Sequence, residues 1–408
     1  MKILTVVILL SLIASCNPSQ NYSTAAYNDP SRSAKKGKEV EEQIKREWAV
    51  DGITVSNKFD GARINGFDKV NDSLYQAIIT PEDTSVRMSP WYAFKIKSDK
   101  SKRIRVHLKY TQGTHRYFPK YSKDSRIWLP LRNSDYYNKN DSTVLTLNVG
   151  EDYQYIAGKE LETSSDLLQW MLSLSAYRYI KIEQFGTTIK GRKLKALLIA
   201  FQKHQPTIII ISRQHPTEVS GYLAMQEFIE KIASYGELAT EFRNKFSVIV
   251  VPMLNPDGVD MGHSEFNAMG VDLTNDWFLH TQTEINSFQN YVKRKKQAYD
   301  LNIVLAIDFH STEKDLIYTF KNDKYPSEMS VIKPWIDSMT QYVNSQNIIV
   351  NKGDPKLPVS ANWFKQEFNA ESLIYEVGDE VSRDLIKKKG DKSAEVLMQL
   401  LLEKYKEK

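Results

Sequence analysis

Four consecutive isoleucines, Ile208 to Ile211, run straight into Ser212-Arg213-Gln214-His215-Pro216-Thr217-Glu218. A strand with one solvated face alternates apolar and polar residues, whereas a strand that is apolar at every position has to be covered on both faces. Helices on either side of a sheet supply that cover, so this run points to an α/β layer architecture. Apolar runs at 196–200, 248–251, 303–307 and 373–375 repeat the pattern. Between and around them, 167–177, 219–233 and 394–405 place apolar residues at helical spacing, with Tyr222, Met225, Ile229 and Ile232 on one face of the second. The expectation for 161–408 is a mixed sheet covered by helices.

The grammar differs upstream. From about Trp48 to Val149, short runs alternate apolar and polar residues, as in Arg103-Ile104-Arg105-Val106-His107-Leu108, and turn formers such as Asn65-Gly66 separate them. Period two with regular turns predicts a small β-sandwich over 47–160. Before it, Lys2 is followed by an apolar stretch from Ile3 to Ile13. That is too short for a membrane-spanning helix, which needs roughly 20 residues, and it has the shape of a secretory signal. Ile13-Ala14-Ser15-Cys16 resembles a bacterial lipobox, whose cysteine is acylated; the other reading is a buried strand ending in a free thiol. The expectation is a lipoprotein signal over 1–16 with Cys16 as the lipidation site. Residues 17–46, rich in Ser, Asn and Pro at their start, read as a flexible tether. Two acyl chains give stable anchoring, so the chain is expected in the bacterial cell envelope, held to a membrane. Cys16 is the sole cysteine among 408 residues, which excludes an internal disulfide framework and a thiolate-built metal site. A net charge of +5 with no dense basic stripe argues against a nucleic-acid partner.

Polar clusters follow the apolar runs. They are 212–218, 252–258 with Asn255-Pro256-Asp257-Gly258, 308–311 with Asp308-Phe309-His310-Ser311, and 376–380. Sites in open α/β sheets form outside the carboxyl ends of strands. His215, Glu218 and His310 would supply two imidazoles and a carboxylate, the donor set of a catalytic zinc site. Glu376 would then be the carboxylate that accepts a proton. Taken singly these signals are weak. A His and a Glu three apart arise by chance, a strand-end histidine is more often structural, and Asn-Pro-Asp-Gly is a good turn without chemistry. Asp308 is either a buried acceptor or a residue that orients a ligand.

As a set the clusters resemble the zinc carboxypeptidase superfamily, in its cytosolic-carboxypeptidase-like branch. The strings that carry the resemblance are Arg213-Gln214-His215-Pro216-Thr217-Glu218, Asn255-Pro256-Asp257-Gly258-Val259, Gly270-Val271-Asp272-Leu273, Asp308-Phe309-His310-Ser311 and Tyr375-Glu376-Val377-Gly378-Asp379-Glu380. Phe185-Gly186-Thr187-Thr188 with Gly191-Arg192 is similar to the family's lead-in to its catalytic domain. Trp91-Tyr92-Ala93-Phe94 and His115-Arg116-Tyr117-Phe118-Pro119 resemble the branch's preceding β-sandwich. The resemblance implies one zinc ion bound by His215, Glu218 and His310, with Glu376 as general base and later acid. The reaction implied is hydrolysis of a peptide-type bond near a C-terminus.

Two departures stand out. Where the family carries an arginine that helps to stabilise the oxyanion, this chain has Glu265. Where the family clamps the substrate carboxylate with Asn-Arg, it has Thr274 and Asn275, followed by Asp276. An arginine fork grips a carboxylate through two charged hydrogen bonds, which a neutral amide cannot match. Glu265, Thr274, Asn275 and Asp276 are therefore the candidate substrate-binding residues, and Arg213, Lys314, Lys365 or Arg383 could supply a cation from a new direction. Three readings compete: a zinc hydrolase with altered substrate choice, a catalytically weakened zinc-binding lipoprotein that binds peptides or glycans, and an envelope protein whose metal braces the fold.

Overall fold

The computed structural model describes residues 40, 42–86, 90–139, 142–320, 330–342 and 348–406. The lipobox with Cys16, and the tether as far as residue 39, lie outside the described residues. Among the described residues no helix is long and apolar enough to cross a membrane.

The first part of the chain is built from short strands: β1 (Glu47–Val50), β2 (Ile53–Ser56), β3 (Gly66–Lys69), β4 (Leu74–Ile79), β5 (Ala93–Ser98), β6 (Lys102–Tyr110), β7 (Lys120–Ser122), β8 (Leu129–Pro130), β9 (Tyr136–Lys139), β10 (Ser142–Val149) and β11 (Gln154–Ala157). They form two sheets, ordered β1-β2-β5-β11-β7-β8 and β3-β4-β6-β10-β9. The alternation in sequence is the cause. On β6, Ile104, Val106 and Leu108 turn inward while Arg103, Arg105 and Lys109 stay exposed. Val55, Phe94 and Ile96 of the first sheet meet Val106, Leu145 and Leu147 of the second in one core. Burying each such side chain is worth about 1.5–3 kcal/mol.

The second part follows as α1 (Ser164–Leu174), β12 (Ile180–Thr187), β13 (Lys193–Ile199), β14 (Pro206–Ser212), α2 (Val219–Ala233), α3 (Glu237–Lys245), β15 (Ser247–Val251), α4 (Pro256–Asp260), α5 (Thr283–Tyr299), β16 (Asn302–Thr312), β17 (Leu316–Phe320), α6 (Ile332–Tyr342), β18 (Ile349–Lys352), α7 (Ser360–Phe368), β19 (Glu371–Gly378) and α8 (Arg383–Lys404). The strands make one sheet ordered β12-β13-β15-β14-β16-β19-β17-β18, and its centre, β15-β14-β16-β19, is parallel. Ile208 and Ile210 join the core on the side of α2 and α8, and Ile209 and Ile211 join the core with Phe288 and Val292 of α5. The unbroken isoleucine run is thus the mark of a strand sandwiched between two helical layers. β14 leads to β15 on one side and has β16 on the other, which opens a crevice at its carboxyl end.

Three elements run further than their apolar patterns. β16 continues through Thr312 and β19 through Gly378, so Asp308, His310 and Glu376 lie within strands rather than beyond them. The parallel ladder extends without a break from Leu305 opposite Glu371 to Thr312 opposite Gly378. Backbone pairing is indifferent to side-chain polarity, so polar residues end the pattern before they end the strand. α8 begins at Arg383, with the Ser382 hydroxyl accepting from the Leu385 N–H, and its hydrophilic first turns hide the start from periodicity.

Candidate metal centre

The site starts with a kink. Arg213, directly after β14, adopts a left-handed backbone (φ 54°), a conformation that costs a residue with a Cβ about 1–2 kcal/mol. The turn that follows carries His215, and it delivers Glu218 to the N-cap of α2. An N-cap carboxylate ordinarily accepts from the first backbone N–H groups of its helix. Glu218 makes no such bond. Instead its Oε1 lies 2.7 Å from His215 Nδ1 and its Oε2 lies 2.7 Å from His310 Nδ1. Ser311, next to His310 on β16, takes over the capping: the Gly221 N–H donates to its Oγ at 2.7 Å. The capping duty is transferred to another element and the carboxylate is left for the site. Gly221 also lets α2 touch the strand, since a Cβ there would lie 2.0 Å from the His310 carbonyl oxygen.

One donor atom from each of His215, Glu218 and His310 lies within 4.8 Å of the others, and among the described residues this is the group that could hold a metal. Glu218 Oε2 and His310 Nδ1, though close, are buried without hydrogen-bond geometry to any partner. That is the arrangement of atoms aimed at a third centre. Each ring has a carboxylate behind it. His215 Nε2–H donates to Asp272 Oδ1 at 3.1 Å. Asp272 is itself held by the Thr274 N–H at 2.9 Å, the Thr274 hydroxyl at 2.6 Å and Asn275 Nδ2 at 2.9 Å. His310 Nε2 lies 3.0 Å from Asp308 Oδ1, and Asp308 Oδ2 accepts from Gln214 Nε2 at 2.6 Å and from the Ser360 hydroxyl. Both imidazoles therefore present Nδ1 to the shared point, and the carboxylates fix their orientation and basicity. The donor set of two imidazole nitrogens and one carboxylate oxygen fits zinc.

The electrostatics agree. Burial opposes a charged ring at both histidines. Glu218 and Asp272 outweigh it at His215, and Asp308 with Glu218 outweighs it at His310, so both pKa values rise well above the ordinary imidazole range. Burial likewise opposes the Glu218 carboxylate, yet the His310 and His215 charges hold it far below its usual value. The carboxylates around the rings favour a cation at this point, and a metal held there would displace protons from the rings.

Glu376, buried in β19, sits directly opposite His310 in the parallel ladder, and paired residues project from the same face. The four remaining candidates divide. Thr274 and Asp276 are buried and engaged in their own loop; the Asp276 carboxylate accepts from the Thr281 N–H, the Thr281 hydroxyl and the Gln282 N–H. Asn275 is tied to Asp272, and Glu265 is partly exposed. Of the cations, Arg383 grips Glu160, and Arg213 is buried with its guanidinium over the Tyr222 ring and donating to the Pro216 carbonyl. Arg213 keeps Nε and Nη1 without a hydrogen-bond partner, while Arg383 is held by its ion pair at the part-exposed start of α8. The Asn255-Pro256-Asp257-Gly258 turn is structural: Asn255 caps α4 by accepting from the Gly258 N–H and donates to the Gln214 carbonyl, which steadies the ligand turn.

Sequence reasoning gave no role to Gln214, Ser311 or Glu82. Spacing offered a signal only for Asp308, which is two residues from His310 and hence on the same strand face. Glu82 comes from the sandwich, and its single carboxylate oxygen accepts from the N–H groups of Ser264, Glu265 and Phe266.

A zinc carboxypeptidase profile matches residues 167–383, more than half of the chain. The chain belongs to the zinc carboxypeptidase family. Human cytosolic carboxypeptidase 6 is 27% identical over 243 residues, 54% of this chain and 48% of that protein. An uncharacterized Zymomonas mobilis protein is 25% identical over 233 residues, 55% of this chain and 59% of its own length. The chain thus spans about half the length of these curated relatives. Two solved structures share the fold across the sandwich and the helix-covered sheet. A metallo-carboxypeptidase from Pseudomonas aeruginosa, in complex with (2-guanidinoethylmercapto)succinic acid, superposes with a TM-score of 0.69 at 17% identity, covering 86% of this chain and 99% of that one. A Burkholderia cenocepacia metallo-carboxypeptidase gives 0.68 at 15%, with 86% and 99% covered. Zinc carboxypeptidases use one zinc, and the His215, Glu218 and His310 group matches that cofactor.

Proposed function

We propose that this zinc carboxypeptidase family member hydrolyses a peptide or amide bond, with His215, Glu218 and His310 as the zinc ligands and Glu376 as general base. The observation that carries the reading is the convergence of the three donor atoms, with Glu376 opposite His310 on the adjoining strand. Zinc in such a site polarises a carbonyl and lowers the pKa of water towards 7. The chain supplies the rest. Asp272 and Asp308 hold the rings, Glu376 takes a proton from the attacking water, and the same carboxyl returns it to the departing amine.

Substrate choice is the finer part of the proposal. Glu265 puts a negative group, and Asn275 a neutral one, where the family resemblance calls for arginines. Loss of one oxyanion donor costs roughly 100- to 1,000-fold in rate, and a carboxylate beside Glu265 is repelled. The substrate favoured is one whose end carries no free carboxylate. With the N-terminal reading of an acylated Cys16, the protein would act on peptides in the bacterial cell envelope from a membrane anchor.

The test uses zinc-loaded full-length protein and one peptide in two forms, with a free or an amidated C-terminus. Preferential hydrolysis of the amide is expected. Strong preference for the free acid would show that another cation does the arginines' work, and cleavage of neither in a broad peptide set would remove the enzymatic reading.

A further inference from the structure

The loop at 261–266 is where the sandwich meets the site. Its Ser264 carbonyl accepts from the Thr217 hydroxyl at 3.1 Å, and Thr217 is the residue before Glu218. The loop is thereby fastened to the ligand turn, and Glu265 is the next residue along. The sandwich holds the loop's other side. The Trp91 N–H donates to Ser264 Oγ at 2.8 Å, and the Arg63 guanidinium donates to the Gly262 and Met261 carbonyls.

Glu82 makes the least replaceable of these contacts. Its Oε1 collects three successive N–H groups, from Ser264 at 2.8 Å, Glu265 at 2.7 Å and Phe266 at 3.1 Å, and the side chain is 2% exposed. Three successive amides converge on one point when the backbone folds into a concave nest, a conformation suited to binding an anion. A carboxylate oxygen has the charge and the lone-pair capacity for three donors, whereas a carboxamide oxygen is a weaker neutral acceptor. The anion comes from the sandwich, so this shape of the loop is tied to the docked sandwich.

We infer that Glu82 is a positioning residue: it fixes the nest at 264–266 and so sets where Glu265 stands beside the ligand turn, which makes the sandwich part of the substrate-selecting machinery. The inference rests on the role given to Glu265 above. A residue that acts this way changes the choice between substrates. A residue that merely stabilises the fold changes the amount of active protein and leaves the choice alone.

The ratio of kcat/KM for the amidated and free-acid forms of one peptide separates the two, because the folded fraction cancels from it. Zinc-loaded full-length wild type, Glu82→Gln, Glu265→Gln and the double variant are compared, and hydrogen exchange is followed at the amides of residues 264–266. In Glu82→Gln, which conserves shape, those amides are expected to exchange roughly tenfold faster, and the ratio to move roughly tenfold towards that of Glu265→Gln, as the loss of one charge-assisted hydrogen bond implies. In the double variant the ratio should equal that of Glu265→Gln alone. Unchanged exchange, or faster exchange with an unchanged ratio, overturns the inference. If the wild type cleaves neither peptide, the proposed hydrolysis fails on its own. The ratio of the two peptides' Kd values for the zinc-loaded variants then replaces the kinetic ratio, with the same expected shift and the same overturning result.

Discussion

His310 and Glu376 stand opposite one another on adjacent parallel strands, β16 and β19. The proposed ligand and the proposed proton acceptor are therefore spaced by a backbone ladder, in which neighbouring strands lie about 4.8 Å apart. Nothing about the pair depends on a loop. Glu376→Gln keeps the shape of that position and removes its basicity. Turnover is expected to fall roughly 100- to 10,000-fold while zinc content, measured by atomic emission, stays at the wild-type level.

Removing a ligand should have the complementary effect. His310→Ala leaves two of three donors in the buried group. Zinc retained after dialysis is expected to drop well below the wild-type ratio, and turnover to fall with it. Chelation of the wild type should lower its Tm, since a ligand bound only by the folded state stabilises that state.

The carboxylates behind the rings make a subtler case. Asp272→Asn keeps an acceptor near His215 Nε2 but loses the charge. Zinc affinity, measured by competition with a chromophoric chelator, should weaken roughly 10- to 100-fold, with the far-ultraviolet circular dichroism unchanged.

Ser311 caps α2 in place of Glu218. Ser311→Ala leaves the Gly221 N–H without its partner and should cost about 0.5–2 kcal/mol in a denaturant titration. It should also weaken zinc binding, because the Glu218 carboxylate becomes the nearest group able to serve the helix end. Wild-type zinc affinity in a destabilised Ser311→Ala would refute the link between capping and metal binding.

Glu284 supplies a pH test. Burial, with Asp257 and Asp276 nearby, pushes its carboxyl up to about 7 from its ordinary 4.5. Below 4.5 it is protonated in folded and unfolded chains alike. Between 4.5 and 7 only the unfolded chain releases the proton, so stability falls as pH rises through that window, by about 3 kcal/mol in all. Glu284→Gln should remove this component. The variant is expected to gain on wild type in unfolding free energy between pH 5 and pH 8, and an equal difference at both pH values would contradict the assignment.

The α/β layering was legible because Ile208–Ile211 has one physical explanation, burial on both faces. The metal triad was legible because zinc demands particular donor types and three of them followed buried runs. The ends of β16 and β19 were hidden, since ladder hydrogen bonds leave no trace in side-chain polarity. The contacts from Glu82 to the loop at 264–266 were hidden more deeply. They join residues about 180 positions apart through main-chain N–H groups, which every non-proline residue possesses. Only one partner of that interaction has an identity to read.

At Gly221 the helix carrying one end of the metal seat rests on the bare main chain of the strand carrying the other. The spacing of helix and strand there is consequently a hard-sphere distance between two backbones. Mutational drift can recolour the walls of such a cleft and change what enters it, while the approach of helix to strand stays constant as long as position 221 bears only hydrogen.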